Sequence, residues 1–138
     1  MSEAEAPAGL IVPPGMAHVV PQFGYAPGLI ANGFLFMAGQ LGRDDEMLVI
    51  EDPEAQMTRA WRNVVSVLAA AGCTVRDIVD VTTFHVELRR HLSVYKQVRD
   101  RVMQGHTPPW TAIGVSELSR PGLILEVKCI ARLPSDLS

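Results

Sequence analysis

The strand predicted for Ile78–Leu88 has no polar face, and this strongly limits how the chain can fold. Its even-numbered positions are mostly apolar, and its odd-numbered positions combine two valines with Thr83, His85 and Glu87. Successive side chains of a strand point to opposite faces of a sheet, so both faces of this strand are at least partly covered. We therefore expect helices on one face of the sheet and a subunit interface on the other.

Two helices are predicted, one on each side of this strand in the sequence. The first begins at Asp52, because an aspartate cap followed by Pro53 at the first helical position is typical of a helix start. Apolar residues then recur at spacings of three and four, which predicts one buried face before Gly72: Met57, Trp61, Val64, Leu68 and Ala71. The second helix is predicted over Leu92–Gln104, with three inward residues: Val94, Val98 and Val102.

Strands are predicted before the first helix and after the second. The dipeptide Asn32-Gly33 lies between two apolar runs, Gly28–Ala31 and Phe34–Ala38, and favours a hairpin because both of its residues tolerate positive φ. Shorter strands are predicted at Val19–Val20 and Met47–Ile50. The order β-β-(β)-α-β-α-β-β predicts an α+β fold, a mixed sheet with both helices on one face.

The last third of the chain holds two further strands, which we predict to be neighbours. They are Trp110–Leu118 and Leu123–Leu133, joined by a turn at residues 119–122. Glu126 lies among apolar residues of the second strand, where a charge is costly to bury unless it is paired or used. Two interpretations stay open. Glu126 is a structural acid that is paired with an arginine of a neighbouring subunit or with Lys128, or is hydrogen-bonded to backbone amides. Alternatively, it is a general acid or base, or a group that orients water, with a raised pKa.

Length and composition predict a single domain. A chain of 138 residues fits one hydrophobic core. Residues 1–17 are rich in Ala, Pro and Glu and are predicted to form a flexible arm, and residues 18–138 are predicted to form the domain. Apolar residues make up 48% of the chain. Without a membrane segment, this content favours surface hidden between subunits, and so an oligomer.

Charge and cysteine content argue against several classes of protein. The net charge is −3 and the basic residues form no phosphate-binding cluster, so nucleic-acid binding is disfavoured. Residues 6–42 carry no charged side chain, but five prolines prevent them from forming a membrane-spanning helix. Glu3 and Glu5 argue against a secretory signal, so we expect a cytoplasmic protein. Cys73 and Cys129 are expected to be buried, and their spacing predicts no metal site.

Two residues outside the strands and helices are further candidates for chemistry. Tyr25 lies in a Pro/Gly-rich segment and is either a core or interface aromatic residue or a group whose hydroxyl closes a pocket. Gly39 is either a simple turn glycine or a position where a ligand approaches the backbone amide. The sequence contains no GxGxxG, P-loop, HExxH, GxSxG or CxxC motif, and nothing in it indicates a Ser-His-Asp arrangement.

The succession of these features resembles the YjgF/RidA family, whose members have also been called L-PSP endoribonucleases or translation initiation inhibitors. The resemblance covers about Gln22 to Leu133 and rests on Tyr25, Gly28, Ala38-Gly39-Gln40, the helix ending in Ala-Ala-Gly, the strand Asp77–Leu88, Pro108-Pro109, Leu125-Glu126-Val127 and Ile130-Ala131. It implies a chorismate-mutase-like fold and a homotrimer with a central β-barrel and three ligand clefts between subunits. In active members these clefts hydrolyse enamine or imine intermediates, such as 2-aminoacrylate, to keto acids and ammonia, and no cofactor is needed.

Part of the family's site is present at matching positions. The resemblance implies that Glu126 corresponds to the glutamate that positions the attacking water. It implies that Tyr25 corresponds to the tyrosine that helps to hold the ligand, and Gly39 to the glycine whose amide does so. These three residues are the ones for which the resemblance implies a conserved chemical role.

Four positions depart from the family's pattern. The arginine that forks onto the substrate carboxylate is replaced by Trp110, and the serine, cysteine and asparagine positions fall at Ala38, Ala112 and about Tyr95. Losing such an arginine removes a charge-assisted contact of about 2–5 kcal/mol in a desolvated cleft. The resemblance therefore implies weak binding of a small α-imino acid and a better fit for a neutral, larger or aromatic ligand. Whether Arg120, or an arginine of another subunit, replaces the missing one stays open.

Two functions of different classes follow. The first is a diverged RidA-like hydrolase in which Glu126 still positions water at a cleft between subunits. The alternative is a non-catalytic trimeric protein that binds a small ligand or has a regulatory role. A ribonuclease or translation-inhibitor function has no support beyond the family names, and the acidic balance counts against direct RNA binding.

Overall fold

A mixed sheet of seven strands carries two long helices on one of its faces. The structure is a computed structural model that describes residues 9–135. Its elements are β1 (Leu10–Ile11), α1 (Val19–Phe23), β2 (Gly28–Ala31), β3 (Phe34–Met37), β4 (Gln40–Leu41), α2 (Pro53–Ala70), β5 (Ile78–Val86), α3 (Leu88–Met103), β6 (Trp110–Val115) and β7 (Leu125–Arg132). The strands lie in the order β1-β2-β3-β7-β5-β6, and β4 pairs with β7 next to β3. The predicted α+β class is confirmed.

The Trp110 strand and the Glu126 strand are not neighbours, so this part of the sequence prediction is wrong. β5 lies between them, antiparallel to β7 and parallel to β6. Helix α3 connects β5 to β6, and a crossover of this kind returns the chain to the same end of the sheet, which makes the two strands parallel. Residues 116–124 then cross the end of β5, where the amide of Val86 donates a hydrogen bond to the carbonyl of Ile124 over 3.0 Å.

Three predicted boundaries are also wrong, each for a local reason. Val19 and Val20 lie in α1 rather than in a strand, because Pro21 is tolerated in the first turn of a helix. The segment at residues 47–50 contributes only a single bridge, between Val49 and Arg43, because the carboxylate of Asp44 accepts two backbone hydrogen bonds and bends the chain into a turn.

The passage from β5 to α3 explains the third difference. Glu87 has a φ of 55°, and this left-handed residue reverses the chain without a loop. β5 therefore ends at Val86, and α3 begins at Leu88, four residues before the predicted start. His91 is a buried residue inside this helix.

The two long helices cover the face of the sheet that bears the core. On α2 the predicted face is confirmed, since Met57, Trp61, Val64 and Leu68 are fully buried. On α3, Val98 is buried as predicted, whereas Val94 and Val102 are only partly buried because the inward face is centred on Tyr95 and His91. Among the described residues, no helix is both long and apolar enough to span a bilayer.

The other face of the sheet has no helix over it and carries several exposed apolar residues. Phe36 of β3 pairs with Leu29 of β2 and with Ile130 of β7, and Ile113 of β6 pairs with Phe84 of β5. Leu29, Phe36 and Ile113 are between 39% and 46% exposed. The subunit interface expected on this face stays a prediction.

Part of the segment predicted as an arm, residues 9–17, lies in the described region. Leu10 and Ile11 form the edge strand β1, which pairs with Leu29 and Gly28. Pro14–Met16 forms one turn of 3₁₀ helix. The first eight residues of the predicted arm, and residues 136–138 of the predicted domain, lie outside the described residues.

Candidate functional site

Glu126 lies at the middle of the sheet, where β4, β5 and β7 meet. It pairs with Leu41 of β4 on one side and with Phe84 of β5 on the other, and its side chain is half-buried. Burial raises the pKa of this carboxyl above its ordinary value of 4.5, and the positive charges of Arg43 and Lys128 offset part of the increase. Glu126 is therefore a titratable group whose proton is held more tightly than in water.

Gly39 provides the space that the Glu126 carboxyl occupies. A Cβ atom built on Gly39 would overlap the Glu126 carboxyl group, so any other residue at this position would displace it. Ala38 precedes Gly39 and is fixed by its backbone, since its amide donates to the carbonyl of Pro27 over 3.0 Å and its carbonyl accepts from the side-chain Nε2 of Gln40 over 3.1 Å. The structure thus brings Ala38, Gly39 and Glu126 together.

Arg43 is the part of this site that sequence reasoning missed. Its half-buried guanidinium interacts electrostatically with Tyr25, Arg120 and Glu126. Burial lowers the pKa of Arg43, and the positive charge of Arg120 lowers this pKa further. Tyr25 and Glu126 raise it. The available signal was that Arg43 is the first charged residue after the long uncharged stretch of residues 6–42.

A small cleft of about 40 Å³ lies beside Gly39 and Arg43. Tyr25, Gly39 and Arg43 line it, together with residues of α1 and of the turn after β4. On its rim the Nε2 atom of His18 lies 3.3 Å from the sulfur of Met47. Tyr25 is exposed, so its ring forms the open side of the cleft in the single chain. We call Tyr25, Gly39, Arg43 and Glu126 the carboxylate site.

Asn63 of α2 holds the backbone that carries Arg43. Its side-chain amide donates to the carbonyl of Leu41 over 2.8 Å and to the carbonyl of Arg43 over 3.1 Å. Its own oxygen accepts from Arg59, which in turn pairs with Asp45 over 3.0 Å. The turn that presents Arg43 is therefore fixed to a buried helix at both of its ends.

Gln56, two turns earlier on α2, ties this turn to the one that bears Arg120. It is 1% exposed, and its Nε2 donates to the carbonyls of Ile50 and Gly122, each over 2.9 Å. Its Oε1 accepts from the amide of Ile124 over 2.7 Å. All three bonds go to loop backbone, so one buried side chain sets the relative position of the two arginine-bearing loops.

Trp110, Tyr95 and Ala112 belong to a second group on the helix-covered face. Trp110 and Ala112 pair with Val81 and Thr83 of β5, and the indole Nε1 donates to Thr83 Oγ1 over 2.9 Å. The ring of Tyr95 stacks on that of Trp110 with 5.7 Å between centroids. Tyr95 is fully buried, and its burial raises the pKa of its hydroxyl.

Arg99 covers the outer side of the Trp110 ring. Its guanidinium carbon lies 4.9 Å from the ring centroid, within the range of a cation–π contact. The same guanidinium donates twice to one carboxylate oxygen of Asp100, over 3.1 and 2.8 Å. A second cleft lies beside Trp110, and of the described residues none lines both this cleft and the one at the carboxylate site. Within one chain, the predicted site residues therefore form two separate groups.

The fold and these two groups define a class of protein. It is a small α+β protein with a chorismate-mutase-like sheet, in which a half-buried glutamate lies against a backbone glycine beside an arginine and a tyrosine. The chain belongs to the YjgF/RidA family, since the sequence profile of that family, described as Endoribonuclease L-PSP, matches residues 16–133.

Individual relatives agree with this assignment. The chain is 33% identical to the RutC family protein YjgH of Escherichia coli K12 over 125 residues, which are 90% of this chain and 94% of that one. It is 29% identical to the RutC family protein slr0709 of Synechocystis over 114 residues, covering 80% and 87% of the two chains. The solved structure of protein YJGH superimposes with a TM-score of 0.83 at 32% identity, covering 91% of this chain and 95% of that chain.

Proposed function

We propose that the chain is a cofactor-independent hydrolase of enamine or imine intermediates, in which Glu126 positions and activates the attacking water. The observation that carries this proposal is the half-buried carboxyl group of Glu126, whose pKa is raised by burial and which lies against Gly39, a residue that lines a cleft. A carboxylate with a raised pKa is a better base toward water than an exposed one, and it can return the proton later in the same cycle.

In the proposed reaction, a water molecule attacks the carbon of a protonated imine while the Glu126 carboxylate takes one of the water protons. The C–O bond forms as the C=N π pair moves onto nitrogen, which gives a neutral carbinolamine. The proton on Glu126 then passes to the nitrogen, the C–N bond breaks, and the hydroxyl proton goes to the released ammonia. The balance is one iminium ion and one water converted to one carbonyl compound and one ammonium ion, with Glu126 ionised again.

The test generates 2-aminoacrylate in situ and follows the release of pyruvate with and without the protein. We expect faster release with the wild type and a loss of about 100-fold or more in Glu126→Gln, since general acid–base catalysis contributes about 10²–10⁴-fold. Glu51→Gln is the matched control, because Glu51 is exposed and does not line the cleft. Equal rates for the wild type and Glu126→Gln would remove the catalytic role of this residue.

A second candidate is a non-catalytic protein that binds a small ligand at the same cleft. It is favoured by Trp110, which stands where active relatives are expected to carry the arginine and whose indole hydrogen is already donated to Thr83. A protein of this second kind would bind a keto acid without accelerating its formation. The pyruvate-release assay therefore separates the two candidates directly.

We also propose that the protein acts as a cytoplasmic homotrimer. The uncovered apolar face of the sheet supports an interface of this kind, and clefts between subunits would join the Trp110 group of one chain to the carboxylate site of the next. An assembly of this kind would give the cleft a second wall. The endoribonuclease description of the family profile gains no support from the charge of this chain, which is −3.

A further inference from the structure

Two soft donor atoms converge at the small cleft beside Gly39. The Nε2 atom of His18, just before α1, lies 3.3 Å from the Sδ atom of Met47 in the turn after β4. Both side chains line the cleft, and so does Met16. All three residues are half-buried, so they are held by the fold and can still be reached from solvent. The sequence alone does not reveal the pair, because 29 positions separate its members.

The local backbone sets the position of both donors. Met47 has a φ of 67°, in the left-handed region that residues with a side chain rarely adopt. The turn at Asp44 holds it there, since the amide of Met47 donates to the carbonyl of Asp44 over 2.9 Å and the amides on either side of Met47 donate to the Asp44 carboxylate. The ring of His18 packs edge-to-face on that of Phe23, with 6.3 Å between centroids.

The spacing of the two donor atoms suits a single metal ion. With bonds of about 2.0 Å to nitrogen and about 2.3 Å to sulfur, donors 3.3 Å apart subtend an angle of about 100° at the ion, which is close to tetrahedral. The cleft, at about 40 Å³, has room for an ion and about one water molecule, whereas clefts for organic ligands measure about 300–1,000 Å³. A hydrogen bond from Nε2 to the sulfur explains the contact without an ion. An ion takes the place of that proton, which moves to Nδ1 of the neutral imidazole.

The donor set and the nearby charges indicate a soft monovalent cation. Thioether sulfur and imidazole nitrogen suit Cu(I), whereas Mg²⁺ and Ca²⁺ need oxygen ligands. Asp44 and Asp45 also line the cleft, but Asp44 accepts backbone amides and Asp45 pairs with Arg59 over 3.0 Å. Arg43 lines the cleft as well and repels a dication more strongly than a monocation. Among the described residues, no group of three or more His, Cys, Asp or Glu side chains could hold an ion, so a zinc site of the usual kind is not formed there.

We propose that His18 and Met47, with Met16 as a third donor, bind a soft monovalent cation, Cu(I) or its chemical analogue Ag(I), at this cleft. The ion links the segment that leads through α1 to Tyr25 with the turn that carries Arg43. The proposal does not depend on the hydrolase function, because Glu126 is not one of the ligands.

The test is a titration of the full chain with Ag(I), an air-stable probe for Cu(I) sites, followed through the methyl NMR signals of the six methionines. We expect the signals of Met47 and Met16 to shift to saturation, while that of Met57, which is fully buried in the core, stays constant. The signal is specific to the site, since the two thiols, Cys73 and Cys129, lie in the core and do not line the cleft. Zn(II) at the same concentration should leave the Met47 signal unchanged.

Two variants assign the ligands. His18→Gln and Met47→Leu should each weaken Ag(I) binding by about tenfold or more, since even residues that only orient a metal ligand are worth about 10–100-fold in affinity. Binding is followed by the Met47 methyl signal in the first variant and by the His18 ring signals in the second. His106→Gln is the matched control, because His106 is also half-buried and does not line the cleft. An unchanged Met57 signal shows that each variant is folded.

Three results would overturn the inference. The first is a Met47 signal that does not shift in excess Ag(I). The second is wild-type affinity in folded His18→Gln, which would mean that the histidine only packs against the sulfur. The third is an equal response to Zn(II), which would contradict the assignment to a soft cation. None of these results bears on the release of pyruvate, so the proposed function is judged separately.

Discussion

Glu126 and Gly39 form a unit in which one residue creates the environment of the other. The glycine leaves the volume that the carboxyl fills, and the resulting burial raises the pKa of Glu126. The sequence identified both residues as candidates, because an acid in an apolar strand and a glycine at a strand end are visible in the pattern itself. Arg43 was not identified, since its electrostatic interaction with Tyr25 and Glu126 depends on how β4 is placed beside β7.

The raised pKa of Glu126 predicts the pH at which activity falls on the acid side of the pH–activity profile, which we call the acid limb. Turnover requires the ionised carboxylate, so activity should rise with pH through a value above 4.5, the ordinary value for this group. Arg43→Gln removes a charge that lowers the pKa of Glu126, so the limb of this variant should move to still higher pH. The measurement is the pH dependence of kcat/KM, and Arg62→Gln should keep the wild-type limb. A limb at or below pH 4.5 in the wild type would contradict the assignment.

Substitution of Gly39 by alanine should disturb both stability and activity. The new Cβ would overlap the Glu126 carboxyl, and forced overpacking of this kind costs about 1–3 kcal/mol in the free energy of unfolding. Displacing the carboxyl should also reduce turnover by at least tenfold. Gly114→Ala is the control, because a Cβ there would meet its nearest neighbour, Leu88, at an ordinary 3.6 Å. Chemical denaturation and the pyruvate-release assay measure the two effects, and wild-type values for Gly39→Ala would refute the contact.

Among the elements, α2 does most to position the site. Its start, its apolar face and its end were predictable, since Asp52 caps it through the amide of Ala55 and the apolar spacing is regular. The roles of Gln56 and Asn63 were not predictable, because a polar residue on a helix does not reveal which distant backbone it will bind. The order of β6, β5 and β7 was also missed, since the turn residues at 119–122 describe local geometry and not strand partners.

Replacing Gln56 by methionine should loosen both arginine-bearing loops. Methionine has a similar volume, so the change removes three hydrogen bonds and leaves their backbone partners unpaired, at a cost of about 2–4 kcal/mol in the free energy of unfolding. Gln97→Met on the exposed face of α3 is the matched control and should change stability by less than about 0.5 kcal/mol. Hydrogen exchange should be faster in Gln56→Met at the amide of Ile124. Unchanged exchange there would mean that the loops are held by other contacts.

At the scale of the whole molecule, the main surface that calls for a partner is the sheet face over which no helix packs. The sequence indicated it in advance, because β5 has no polar face and the apolar content is high. The number of subunits does not follow from such a pattern, since any apolar partner would cover it. The trimer stays a prediction from the family resemblance, and the exposed apolar residues of this face are the observation that supports an interface.

A charge placed on this face should dissociate the proposed trimer. Phe36 is 46% exposed, and Phe36→Asp would put a carboxylate into an apolar interface, where an unpaired charge is strongly unfavourable. Leu48→Asp is the control, because Leu48 is 60% exposed and lies outside the sheet. Light scattering should give the mass of a trimer for the wild type and the control, and a smaller mass for Phe36→Asp. A monomeric wild type would exclude the assembly.

The position of Trp110 gives the molecule an optical reporter. The chain has two tryptophans, and Trp61 is fully buried while Trp110 is partly exposed beneath the guanidinium of Arg99. Emission from Trp61 is shielded from water and should stay nearly constant. Changes in the spectrum would then come from the indole at the edge of the sheet. Subunit assembly and ligand entry could therefore be followed in solution from the protein's own fluorescence, without an attached dye.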